Sequence, residues 1–191
     1  MKKILTTLFL FLSLTTNISA ETKRIISGND NAKITIIAYE SLTCSHCADF
    51  HKNVYPKLKK EYIDTGLAKI EFRHFPLDIA ALNASKITQC KEDQGLEILD
   101  SLYSNQQAWV KGNTIEEIND NLKKFVTDQG YKFNFDKCIN NKKIEDFILN
   151  DRIEGTKKFK INATPTIIIN NKKFEKTLNY KNLKNSLEKL I

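Results

Sequence analysis

Apolar and polar positions along the chain repeat with two different periods, and the switches between them mark the elements. Residues 33–39, Lys-Ile-Thr-Ile-Ile-Ala-Tyr, are rich in β-branched side chains and predict a buried strand. After Glu40-Ser41-Leu42-Thr43 comes Cys44-Ser45-His46-Cys47, and from there Phe50, Val54, Leu58 and Tyr62 recur at gaps of three and four. That spacing predicts a helix from near Cys44 to about Thr65, stopped by Gly66. Pro56 lies inside it and is expected to kink it, because the ring removes a donor and crowds the preceding turn. Residues 68–75 alternate and predict a second strand. Strand, long helix, strand is a βαβ unit, so the two strands are expected to run parallel.

The period then turns helical for a long stretch. Residues 79–92 form one candidate helix, and Leu96, Leu99, Leu102, Tyr103 and Trp109 mark another. Thr114 and Glu117 have the spacing of a capping box ahead of Ile118, Leu122, Phe125 and Val126, with Gly130 as the stop. Residues 135–159 read as one further helix. Asn162-Ala163-Thr164-Pro165 precedes a strand at 166–170, a hairpin turn at Asn170-Asn171-Lys172 and a short strand at 173–175. Tyr180, Leu183, Leu187 and Leu190 predict a final amphipathic helix. The order is βαβ, a block of helices, then ββα, with no internal repeat.

The N-terminus has its own pattern. Met1-Lys2-Lys3 is basic, residues 4–14 are almost wholly apolar, and Asn17-Ile18-Ser19-Ala20 ends in a small residue. This is the order of a secretory signal peptide over residues 1–20, and the apolar run is too short to span a bilayer. The formal charge is +7, and removing Lys2 and Lys3 with that segment leaves +5. The remaining lysines are interspersed with Glu and Asp without an aromatic-interleaved basic stripe, so a solvated surface is expected rather than a nucleic-acid interface.

Export changes how four cysteines are read, because thiols tend to pair in an oxidising compartment. Three pairings are possible on paper. The spacing of Cys44 and Cys47 at a helix start carries the chemistry. The first thiol faces unpaired backbone N–H groups and the positive end of the helix dipole, both of which favour thiolate. A protonated His46 would add to this. The thiolate is the attacking form in disulfide exchange and, at low pKa, also a good leaving group. Cys47, one turn further in, is expected to be more buried and to resolve. A c-type haem site needs His after the second Cys, and position 48 is Ala. A zinc site on Cys44, Cys47 and His46 or His51 lacks a second close Cys pair. Glu40, four before Cys44, is either a proton shuttle for Cys47 or an exposed strand-end acid. His51 is expected to cover the helix surface, and Trp109 to lie in the core.

Glu40-Ser41-Leu42-Thr43-Cys44-Ser45-His46-Cys47-Ala48, Phe50-His51, Pro56, the Tyr62–Gly66 segment, the Arg73–Asp78 segment and Ala163-Thr164-Pro165-Thr166 together resemble the DsbA-type thiol:disulfide oxidoreductases of bacterial envelopes. The resemblance covers nearly all of the chain after residue 20. It implies an α/β, thioredoxin-like fold formed by residues 21–77 and 144–191, with a helical insertion at 78–143. It implies a cis Thr164–Pro165 bond beside Cys44, where the backbone pairs with an extended substrate segment. It also implies a Cys90–Cys138 disulfide in the insertion, which by the chain-entropy argument contributes roughly 4 kcal/mol at most. Two positions qualify it. Ser45 stands where the family usually has Pro, so the redox potential does not carry over, and Thr164 before the Pro is shared by oxidases and isomerases.

The function implied is that of a periplasmic dithiol oxidase. Cys44, Cys47, Ser45, His46, Thr164 and Pro165 would form the site, working through the Cys44–Cys47 disulfide with no metal or other cofactor. The partners implied are thiols of folding secreted proteins and a quinone-linked, DsbB-like membrane re-oxidase. A monomer is expected. The alternatives are an isomerase or reductase of the same fold, or a non-catalytic chaperone or metal-binding module.

Overall fold

The computed structural model describes residues 22–91 and 93–191. The expected signal segment, apart from any role it has, lies outside the described residues. Among those described, no helix is long and apolar enough to cross a membrane.

The sheet is built around the two strands of the expected βαβ unit. Strand β2 (Ile34–Glu40) pairs in parallel with β3 (Ala68–His74), in register from Ile34 opposite Ala68 to Glu40 opposite His74. Nearly every β2 position is buried, as in a strand covered on both faces, whereas β3 alternates buried and half-buried residues. On the far side of β2 lies antiparallel β4 (Thr166–Ile169), followed by β5 (Lys172–Lys173). Asn170 and Asn171 both have positive φ, 45° and 65°, which matches the twist a two-residue hairpin needs. The turn therefore closes one residue earlier than the pattern suggested. Strand β1 (Ile25–Gly28) pairs antiparallel with the outer edge of β3 and was not anticipated. The full order is β1-β3-β2-β4-β5.

The βα crossover is not a simple helix. It starts as α1 (Ser45–Asp49), widens into a π-helical stretch (Phe50–Val54), returns to an α turn, α2 (Tyr55–Leu58), and widens again over Lys59–Ile63. The Tyr55 N–H donates to Phe50 O, five residues back, and Asp64 N–H to Lys59 O at 2.8 Å. The first widening absorbs Pro56. Its ring has no N–H to place and sits in the opening turn of α2, where none is required.

The insertion holds α3 (Ile79–Thr88), α4 (Gly95–Ser104), α5 (Gln106–Trp109), α6 (Ile115–Asp128) and α7 (Phe135–Ile139). The helix expected over 135–159 is two. Asn141 breaks it and caps α8 (Lys142–Phe159), accepting from the N–H groups of Lys143 and Ile144. A division of the chain between 143 and 144 thus falls in the first turn of α8. Helix α9 (Tyr180–Leu187) closes the chain.

One apolar cluster runs from the sheet face under α1, α2 and α9 into the insertion, through Phe50, Leu58, Ile98, Leu102, Trp109 and Leu122. Trp109 is fully buried and its indole N–H donates to Leu102 O at 2.9 Å. A smaller cluster of Ile37, Tyr39, Phe75, Ile161 and Ile168 fills the opposite sheet face. Gly155 of α8 lets the helix lie directly on Tyr39, since a Cβ there would stand 2.8 Å from the ring.

Candidate active site

Cys44 is the N-cap residue of α1, with extended backbone (φ −78°, ψ 119°), so its side chain sits at the end of the helix where backbone N–H groups are free. Its carbonyl accepts from the N–H groups of Cys47 and Ala48, at 3.1 and 3.2 Å. Both cysteines are free thiols. Cys44 is half-buried and Cys47 fully buried. The Cys44 Sγ lies 3.3 Å from the carbonyl oxygen of Thr164, and the Thr164–Pro165 bond is cis. Residues 120 apart in sequence are thereby brought together. His46 is exposed beside Pro165, lining with Thr164, Phe50 and Leu178 a hollow of about 200 Å³. Ser45 is also exposed, on the side of a larger groove of about 740 Å³.

The two thiols are pulled in opposite directions. Cys44 is lowered from 9.0 to about 5. Hydrogen bonding from the Cys47 thiol does most of this, against burial, with help from the Thr164 side chain and the backbone N–H groups of Cys47 and His46. Cys47 is pushed far up, first by burial, then by its bond to Cys44 and the charge of Glu40. One sulfur is thus a thiolate at neutral pH and its neighbour a thiol.

Glu40 ends β2 and is 3% exposed, so the solvated-acid alternative is excluded. Burial raises its pKa, opposed by the adjacent His51. His51 is a correction to the sequence reading. It is buried rather than spread over the helix surface, with Nε2 2.9 Å from Glu40 Oε2 and Nδ1 3.2 Å from Asp100 Oδ1. Its signal was present in the chain: four residues past Cys47, it occupies the same face one turn on.

The insertion contributes two groups that local patterning did not single out. Gln106 donates its side-chain amide to the carbonyls of Leu42 and Cys44, at 2.7 and 3.1 Å. Asp78 accepts the Thr43 hydroxyl at 2.7 Å while capping α3 through the Ala81 N–H. Cys90 and Cys138, joined as a disulfide with Cα atoms 5.9 Å apart, lie in the insertion between α3 and α7.

A family model described as Thioredoxin matches residues 20–189. The crystal structure of α-DsbA1 from Wolbachia pipientis superposes with a TM-score of 0.78 at 33% identity, covering 87% of this chain and 90% of that one. This chain belongs to the thioredoxin family, on its DsbA branch. The DsbA-type chain is also 31% identical, over 76% of its length, to a Rickettsia bellii protein provisionally named a protein-disulfide oxidoreductase. It is 26% identical, over 86% of its length, to disulfide bond formation protein D of Bacillus subtilis, covering 75% of that protein. It spans about half the length of the Rickettsia relatives it matches, 56% in the first case.

Proposed function

We propose that this DsbA-type chain is an exported dithiol oxidase acting through a Cys44–Cys47 disulfide. The observation that carries the reading is the split between the two sulfurs, one lowered to about 5 and the other pushed far up. A stabilised Cys44 thiolate favours the reduced form, and a disulfide whose reduced form is favoured is readily given away. A substrate thiolate attacks Cys44 Sγ, and the S–S bond electrons leave on Cys47, which takes a proton from Glu40. A second substrate thiolate then attacks the substrate sulfur of the mixed disulfide and releases Cys44 as the thiolate. The substrate loses two electrons and the enzyme gains them.

The site needs no cofactor beyond its own disulfide in this reading. Thr164 and Pro165 hold an extended substrate segment against Cys44. His46 and Ser45 flank it, and Glu40 moves the Cys47 proton. The client is a thiol-bearing protein folding in the periplasm. Re-oxidation falls to a membrane-bound, quinone-linked partner, and the enzyme acts as a monomer. The Cys90–Cys138 bridge is structural.

The test compares dithiol-peptide oxidation with refolding of a scrambled disulfide substrate. Fast oxidation abolished by Cys44→Ser supports an oxidase. Strong reactivation of the scrambled substrate without added oxidant would assign the chain to isomerisation, and turnover unchanged by Cys44→Ser would refute the mechanism.

A further inference from the structure

If Glu40 exchanges a proton with Cys47, that proton has to reach solvent from a carboxyl group that is itself 3% exposed. The structure holds a continuous line of polar atoms for it. Glu40 Oε2 is 2.9 Å from His51 Nε2, and His51 Nδ1 is 3.2 Å from Asp100 Oδ1. The side-chain exposures along this line are 3% for Glu40, 4% for His51 and 44% for Asp100, so it runs from the core to water. At the inner end, Glu40 Oε1 is buried with no hydrogen-bond partner. A buried carboxylate oxygen left bare is costly, and a proton arriving there relieves the cost.

The imidazole is held as a relay requires. It stacks on Tyr103, centroids 4.1 Å apart and planes 20° apart, and is braced by Phe72 at 5.2 Å and Tyr55 at 5.4 Å. Neither ring nitrogen can leave its partner without displacing these rings. The ring also forms part of the wall of the groove of about 740 Å³. The ionisable groups facing it are Glu40 from β2, Asp100 and Tyr103 from α4, and Tyr55 from α2. Burial alone would lower its pKa, but the Glu40 charge and the hydrogen bonds to both carboxylates outweigh that and raise it to about 9. The ring therefore carries a proton on each nitrogen at neutral pH.

We propose that His51 and Asp100 form a proton relay connecting Glu40, and through it Cys47, to solvent. The proposal rests on the dithiol-exchange reading above. During re-oxidation Cys44 is bonded to a sulfur of the disulfide oxidant, R–S. The Cys47 thiol loses its proton to Glu40 Oε1, and the Cys47 Sγ bonds to the Cys44 Sγ. R–S⁻ departs with the electron pair of the broken bond. The Nδ1 proton of His51 passes to Asp100 and on to water, leaving the ring neutral beside a protonated Glu40. During substrate oxidation the same transfers run inward, and the proton ends on the departing Cys47. Glu40 is the group that exchanges the proton with the sulfur. His51 and Asp100 are positioning residues that act through it.

The test follows reduced protein mixed with oxidised glutathione between pH 5 and 9. A first phase reports attack by Cys44, and a second reports release of glutathione as Cys47 resolves the mixed disulfide. Asp100→Asn keeps the hydrogen-bond acceptor but cannot carry a proton, and its half-exposed position makes it safe for folding. The relay predicts that His51→Gln slows the second phase by roughly 10² or more, and Asp100→Asn by about tenfold, each with an altered pH profile. The first phase and the rate of Cys44 alkylation stay at wild-type values in both. Second phases with wild-type rate and pH profile in Asp100→Asn would overturn the relay even if His51→Gln failed to fold. A wild-type protein with no second phase at all would instead remove the dithiol-exchange reading, and the relay with it.

Discussion

The side-chain amide of Gln106 donates to the carbonyl of Cys44 at 3.1 Å, across 62 residues of sequence. Together with its 2.7 Å bond to Leu42, this ties the insertion to the loop that presents the first cysteine. Gln106→Ala leaves two partly buried carbonyls without that donor and is expected to cost about 1–3 kcal/mol. Urea unfolding of the oxidised protein checks it, and an unchanged midpoint would mean that the loop holds its shape without the insertion.

Cys44 makes the stability of the reduced protein depend on pH with a definite sign. Its pKa is depressed from 9.0 to about 5, so the thiolate's contribution is complete above the ordinary thiol value and is lost as pH falls through about 5. Reduced wild-type protein should therefore lose stability relative to Cys44→Ser on going from pH 9 to pH 4.5. Ultraviolet titration of the thiolate gives the midpoint directly, and a value near 9 contradicts the geometry.

His51 has the opposite signature. Its pKa is raised from 6.5 to about 9, so its contribution is fully present below 6.5 and lost as pH rises through 9. Wild-type stability relative to His51→Gln should shrink on raising the pH from 7 to 10. Chemical denaturation at those two values reads the difference, and a gap that grows with pH would place the imidazole neutral.

Cys90 and Cys138 close a loop of 48 residues in sequence separation. Replacing both by Ala is expected to cost up to roughly 4 kcal/mol, chiefly by freeing the unfolded chain. Cys44 and Cys47 are untouched by the change, so the rate of Cys44 alkylation should stay constant while the unfolding midpoint falls. A constant midpoint would show that the bridge constrains nothing the fold does not already hold.

Gly155→Ala sets two effects against each other. An Ala within a helix gains up to about 1 kcal/mol over Gly. The added Cβ would lie 2.8 Å from a ring carbon of fully buried Tyr39, and overpacking of that kind costs about 1–3 kcal/mol. Net destabilisation is expected in a thermal melt. A stabilised variant would mean that α8 can lift off the sheet freely.

The parts of the fold that depend on local rhythm were legible in the chain. β2 and β3 show a β pattern, the helix between them begins just after its N-cap Cys44, and the parallel pairing follows from the connection length. Strand β1 was not legible because four residues carry too little periodicity, and it exists only by pairing with the edge of β3. The site divides the same way. Cys44, Cys47 and Thr164-Pro165 announce themselves by spacing, and His51 could have been found from its place one turn after Cys47. Asp100 and Gln106 could not, since what brings them to the site is the packing of α4 and α5.

The outer strand of the sheet on the β4 side is only Lys172 and Lys173. An exposed sheet edge is a template on which another extended chain can pair through its backbone. Two cationic residues offer too short and too repulsive a template for that, so this flank of the sheet resists being extended by a foreign strand.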